Sequence, residues 1–196
     1  MTDCSLVGRG RVVEDIRAYL DAGRSVLLVG PHGSGKTAII NVVRREGLLV
    51  VDPFAGMTTP RAAALRRALD RGALVVGAAT SLDRADMGHV GRVAWRFERV
   101  YLRPLAPRAI ARIIRTRLDA EAPLPLDRRW MREAVEASAG LPGRAVALAS
   151  VVAAHWRERR AVLPARFALV VAWQNDLAGS FDRLNTTGLR PGESSS

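Results

Sequence analysis

The sequence predicts an α/β fold. A parallel sheet core of about four strands occupies residues 1–105, an all-helical segment follows over 106–185, and a polar tail closes the chain over 186–196. Three observations lead there. Short apolar runs alternate with segments of helical period as far as Leu102, the pattern of parallel strands joined by helical crossovers. Beyond Leu105 apolar residues recur at helical spacing. Between the first strand run and the next helix lies a glycine-rich stretch, Gly30 to Thr37.

Leu6-Val7-Gly8-Arg9 comes first. Val13, Ile16 and Leu20 then give a helical face through about Asp21, and Ala22-Gly23-Arg24 ends that helix. Ser25 to Val29 is a short apolar strand. Gly30-Pro31-His32-Gly33-Ser34-Gly35-Lys36-Thr37 matches G-x-x-x-x-G-K-[ST], the phosphate-binding P-loop. Glycines let successive N–H groups point inward, because Gly tolerates the positive φ that such a curl requires. In that pattern Lys36 reaches the β/γ-phosphates and the Thr37 hydroxyl holds Mg²⁺. The helix that opens with Ala38 aims its N-terminus at the phosphates. The ligand so implied is the phosphate chain of a nucleotide, with Mg²⁺. Composition adds to this: of 30 basic residues, Lys36 alone is lysine. A drift toward arginine that spares the one position where a compact point charge is wanted marks a working site.

The P-loop helix is expected from Gly35 to about Arg45. Leu48 to Asp52 is a buried strand next to the P-loop strand, ending in an acid that can hold Mg²⁺ through water. Pro53 stops it. Thr58-Thr59-Pro60 starts a helix to about Arg71, Ala73 to Thr80 is a third strand, 82–93 is irregular, and Phe97 to Leu102 is a fourth strand. Helices follow from Pro107, after a possible cap at Asp127, from the Gly140-Leu141-Pro142-Gly143-Arg144 break to about Arg160, and from Pro164 to about Leu177.

These parts, in this order, resemble the AAA+ ATPases. The Val7-Gly8 pair resembles the family's pair beside the adenine ring. Ala64 to Thr80 is similar to the helix and strand after the magnesium acid in the first module of Clp-type members, which makes Thr80 the match to sensor 1, the residue that positions the attacking water. Trp95-Arg96-Phe97 resembles an Arg-Arg-Phe in which an arginine acts as a finger on a neighbour's γ-phosphate. Arg96 matches one of the two, and Trp95 replaces the other. Gly140 to Arg144 resembles the sensor 2 turn, also as found in STAND and origin-recognition types, and so implies Arg144 over the phosphates within a helical lid.

Two departures qualify the resemblance. Between Lys36 and Asp52 there is no room for the additional strand and helix of the family, where Clp-type rings carry the pore loop. The simplest reading is loss of an edge strand; the rival makes 48–52 the edge strand and the magnesium strand the missing one. The glutamate that follows the magnesium acid in the family is replaced by Pro53, which cannot accept a proton. General-base help is worth about 10²–10⁴ in rate. Asp83 and Asp86 follow Thr80, but nothing in the sequence places them as substitutes.

The chain of 196 residues carries a net charge of +11, spread evenly, with 16 basic and 10 acidic residues in 1–105 and 14 and 9 in 106–196. Neither half is a basic tail. DNA is one partner such a charge fits, and solvated arginine faces such as Arg108, Arg112 and Arg115 are the plainer account. No apolar run reaches the ~18 residues of a membrane helix. The start lacks a signal-peptide pattern, and the single Cys4 excludes an internal disulfide, so the expected setting is cytoplasmic, without a membrane partner. The three histidines form no metal cluster, and the Gly- and Ser-rich tail over 186–196 is expected to be disordered. The function expected is an ATP-dependent conformational or assembly switch with slow or no hydrolysis, joined to copies of itself or to a protein partner. The alternatives are an ATP-regulated DNA-associated protein and a small-molecule P-loop kinase.

Overall fold

The computed structural model describes residues 6–83, 87–121 and 124–174. Cys4, Asp86, the end of the last helix near Leu177 and the tail over 186–196 lie outside the described residues.

Four parallel strands form the sheet: β1 (Val26–Val29), β2 (Leu48–Val51), β3 (Leu74–Ala79) and β4 (Glu98–Tyr101), in the order β2-β3-β1-β4. Helix α1 (Gly10–Asp21) precedes β1, while α2 (Lys36–Val43) and α3 (Thr59–Asp70) supply the crossovers from β1 to β2 and from β2 to β3. Strand β1 is buried along its whole length. Its alternation sorts Val26 and Leu28 to one face with Ile16, Leu20, Ile39 and Ile40, and Leu27 and Val29 to the other with Leu65, Leu69 and Phe97. A strand covered on both faces has no polar side, which is why it reads as an unbroken apolar run.

The expected four-strand parallel sheet is present, and two details differ from expectation. Strand β2 is not next to β1; β3 lies between them. Nor is β2 buried, since it closes the described sheet on that side and leaves Leu49 and Val50 45% and 37% exposed. Helix α2 also stops two residues early, because Arg44 turns to extended geometry with φ −60° and ψ 128°.

After β4 the chain is helical: α4 (Pro107–Glu121), α5 (Arg128–Ala137), α6 (Pro142–Arg159) and α7 over 165–174. Ile110, Ile113, Ile114 and Leu118 of α4 pack with Leu148, Ala149 and Val152 of α6 into a separate apolar cluster. The Asp127 side chain accepts the Trp130 N–H at 2.6 Å, so the expected cap forms and satisfies a free donor of the α5 first turn. The Trp130 indole N–H donates to the Leu163 carbonyl at 2.8 Å and ties α5 to the start of α7.

Phe54 fixes the exit of β2. It is fully buried, its N–H donates to the Ala78 carbonyl at 2.7 Å, and its ring meets Phe97 edge-on at 5.1 Å. Gly77 lies beneath that ring: a Cβ there would stand 2.7 Å from Phe54 Cδ2. Truncation to Phe54→Ala is expected to cost about 3–5 kcal/mol, the usual range for removing a buried aromatic ring. Urea unfolding measures it, and a loss below about 1 kcal/mol contradicts this account of the β2 exit.

Candidate functional site

The C-terminal ends of β1 and β3 lie side by side, with Val29 paired to Ala79 and the Gly30 N–H donating to the Ala79 carbonyl at 3.1 Å. The Gly30–Thr37 loop springs from that edge. Gly33 and Gly35 take φ of +77° and +94°, the left-handed conformation that an L side chain strains to adopt. Ser34 between them is buried, and α2 begins at Lys36 directly behind the loop. The loop is therefore a curl of backbone at a helix N-terminus, a shape suited to an anion.

Lys36 folds back over the loop. Its Nζ donates to the Gly30 and Pro31 carbonyls at 2.7 and 2.9 Å. Burial pushes its ammonium below the ordinary lysine value, and the nearby Asp52 carboxylate pulls it partly back up. Thr37 Oγ1 donates to Asp52 Oδ2 at 2.8 Å. Although β2 is separated from β1 by β3, α2 carries Thr37 to the end of β2. A hydroxyl and a carboxylate in contact beside this loop are a donor set that fits Mg²⁺, which usually takes one or two protein oxygens and fills its shell with water and phosphate. Among the described residues no larger cluster of His, Cys, Asp or Glu exists.

The remaining expected residues divide. Thr80 follows Ala79 and so emerges, exposed, beside Gly30. Val7 packs against the α4–α6 cluster, and Gly8, at φ +75°, abuts Leu105 and Ala109. Pro31 and His32 are exposed at the loop, and Ala38 is half-buried in α2. Arg144, in the first turn of α6, is exposed, and its backbone comes close to Gly33. Arg96 lies elsewhere. It precedes β4, whose first residue pairs with Val26 at the opposite end of β1 from the loop. Its guanidinium bonds Asp70 at 2.6 Å and the Leu69 carbonyl at 3.2 Å. Pro53, exposed after Asp52, offers no proton acceptor.

Two features of the site were not legible as such. The first is Arg9, 4% exposed, whose NH2 donates to the Ser34 carbonyl at 3.0 Å from behind the loop. Burial lowers its pKa with no carboxylate to offset it. A desolvated positive charge therefore backs the loop and favours an anion in front of it. Its place directly after Val7-Gly8 was the one signal in the sequence. The second is the seat of the 140–144 turn on the loop. The Gly143 N–H donates to the Gly33 carbonyl at 2.8 Å, and Pro142 reaches to Gly35. A Cβ on Gly143 would stand 2.7 Å from Gly33 Cα, which is backbone and cannot swing aside. Gly143→Ala is expected to prise the turn from the loop and to lose about 1–3 kcal/mol, the range for overpacking. Thermal unfolding and exchange of the residue-143 amide report both effects. Unchanged protection of that amide contradicts the close contact.

No protein-family model and no curated protein matches the sequence. Solved structures do. RuvB of Thermotoga maritima, a Holliday junction branch migration motor, superposes with a TM-score of 0.58 at 16% identity, over 86% of this chain and 70% of that one. The AAA domain of FIGL-1, solved in complex with ADP, gives 0.51 at 16% identity, over 91% and 87%. The four-strand parallel sheet followed by helices is the fold of the AAA+ ATPases, reached here at low sequence identity.

Proposed function

We propose that this chain binds ATP with Mg²⁺ and acts as a nucleotide-dependent conformational or assembly switch, in a cytoplasmic setting, with hydrolysis slow or absent. The observation that carries the reading is the bond from the Gly143 N–H to the Gly33 carbonyl at 2.8 Å. It couples the helical lid to the loop that would take the phosphates, so whatever fills the loop acts on the lid.

In this reading the Gly33–Thr37 backbone N–H groups and the start of α2 bind phosphate oxygens. Lys36 leaves the Gly30 and Pro31 carbonyls for the β/γ-phosphates. Thr37 and Asp52 hold Mg²⁺, which supplies charge neutralisation to the phosphates. Val7 and Gly8 border the adenine side, and Arg144 turns from solvent toward the phosphates. Thr80 holds a water beside Gly30. Proline at position 53 withholds the base that would take the proton from that water, which forfeits about 10²–10⁴ in rate. The ADP held by the FIGL-1 domain, a protein of the same fold, supports the choice of ligand.

Arg96 is remote from its own loop, so any contact with a γ-phosphate is made across an interface with a second copy. Its bond to Asp70 is an exposed pair. Such pairs are worth about 0–1 kcal/mol, and releasing Arg96 on assembly also gives up its part-buried bond to the Leu69 carbonyl.

Lys36→Ala is expected to weaken ATP binding about 10- to 100-fold, the loss of one charge-assisted bond set of about 1.5–3 kcal/mol. Titration with a fluorescent ATP analogue measures it, and equal affinity sinks the reading. Because burial lowers the Lys36 pKa, the charged form is lost at a lower pH than for a free lysine. Affinity should therefore fall on the alkaline side below about pH 10.4, where an ordinary lysine titrates; a pH-flat affinity up to that point contradicts the role. Finally, any ATP turnover should rise per molecule with protein concentration, and Arg96→Ala should flatten that rise while leaving ATP affinity unchanged. Concentration-independent turnover in the parent protein removes the trans role.

A further inference from the structure

Strand β4 has one face that nothing in the described structure covers. Along it, Val100 and Leu102 point into the cluster formed with α1 and α2, and Glu98 is bonded to Arg24 at 2.8 Å. The odd-numbered residues point the other way. Phe97 begins that row buried against Phe54. Beyond it the layer of α3 and the two 3₁₀ turns, Gly88–Val90 and Ala94–Arg96, comes to an end. Arg99 and Tyr101 then stand exposed, with Tyr101 59% accessible, and Arg103, two residues past the end of the strand, is exposed as well. Where that layer ends there is a cavity of about 510 Å³, with Arg92 and Arg99 on its polar wall and Leu82, Met87 and Ala94 on its apolar one. Trp95 lies 73% exposed on the segment that bounds it.

We propose that this face binds single-stranded nucleic acid, with Arg99 and Arg103 on backbone phosphates, a base stacked on Tyr101 between them, and a neighbouring base entering the cavity beside Arg92. Charge complementarity selects a polyanion. None of Arg92, Arg99 and Arg103 is paired with an acid among the described residues, and the chain as a whole carries +11. The exposed rings select unpaired bases over duplex, because a base buried in a stack has no free π-face to offer. Arginine, the basic residue present here, both clamps phosphate and stacks on planar groups. A purely solvated basic face lacks the aromatic term: Arg108, Arg112 and Arg115 on α4 are exposed with no exposed ring among them. That face attracts any polyanion without preferring single strands. The inference does not rest on the ATP reading: Arg99 and Tyr101 lie on the face of β4 opposite the one that packs with α1 and α2, although Tyr101 pairs with Val29 at the loop end of β1.

The test is fluorescence anisotropy of a labelled oligothymidylate, titrated with the full chain at several salt concentrations, against a duplex of equal length. The single strand should bind more tightly than the duplex. Tyr101→Ala should weaken it about 5- to 150-fold, the effect of losing one base–aromatic stack, and Tyr101→Phe should restore it. Arg99→Ala with Arg103→Ala should reduce the slope of log affinity against log salt by about 1.4, two single-strand phosphates at ~0.7 each. ATP affinity should stay unchanged in all three. The proposal is overturned by equal binding of strand and duplex, by unaltered binding in Tyr101→Ala, or by binding lost on replacing Arg108, Arg112 and Arg115 instead. Self-association through this face with no oligonucleotide binding at about 50 mM salt overturns it as well.

Discussion

Two backbone hydrogen bonds hold the 140–144 turn, and the arrangement of the site depends on them. The Gly143 N–H reaches the Gly33 carbonyl of the loop, and the Leu105 N–H reaches the Gly140 carbonyl, each at 2.8 Å. One stitches the helical segment to the loop and the other stitches it to the chain leaving β4. Both need glycine. A Cβ on Gly143 meets Gly33, and a Cβ on Gly140, where φ is +71°, would stand 2.6 Å from Pro104 Cβ. Bonds made by backbone alone at van der Waals contact leave little slack, because packed protein does not deform continuously. In the proposed switch, a change in loop shape would therefore reach α6 as a displacement.

Around that seat the charge is arranged for an anion. Arg9 is buried behind the loop with no compensating carboxylate, and Lys36 is partly desolvated on the loop's own carbonyls. Asp52 is engaged by Thr37. Desolvated positive charge is costly unless it is paired, and the proposed polyphosphate would supply the pairing. The same chain leaves the position after Asp52 to a proline. The site thus offers positive charge for an anion and no proton acceptor at position 53, the balance that the proposed switch needs.

Much of this was legible in the sequence because it is local. The strand–loop–helix order around Gly30 to Thr37, the helical period after Leu105 and the Asp127 cap each depend on residues within a few positions of one another. The shortened crossover after Lys36 was legible too, since a length cannot hide a missing strand. What stayed hidden is long-range. Leu48 to Val51 read as a buried strand because its residues are apolar, but exposure is set by what lies beside it, and β2 has no outer neighbour among the described residues. The burial of Arg9 had no local sign, since burial of a charge is decided by the packing of distant segments around it. The contact of Gly143 with Gly33 joins residues more than a hundred positions apart, and no spacing announces it. Likewise the strand over 97–102 was readable, but the bare face it exposes was not.

The central claim is that occupancy of the loop moves the lid, and amide hydrogen exchange across the Gly140–Arg144 turn addresses it directly. With ATP and Mg²⁺ present, exchange of the Gly143 amide should change relative to the free protein, and Lys36→Ala at the same nucleotide concentration should show no change. Exchange that is identical with and without ATP, in a protein shown to bind it, would contradict the account.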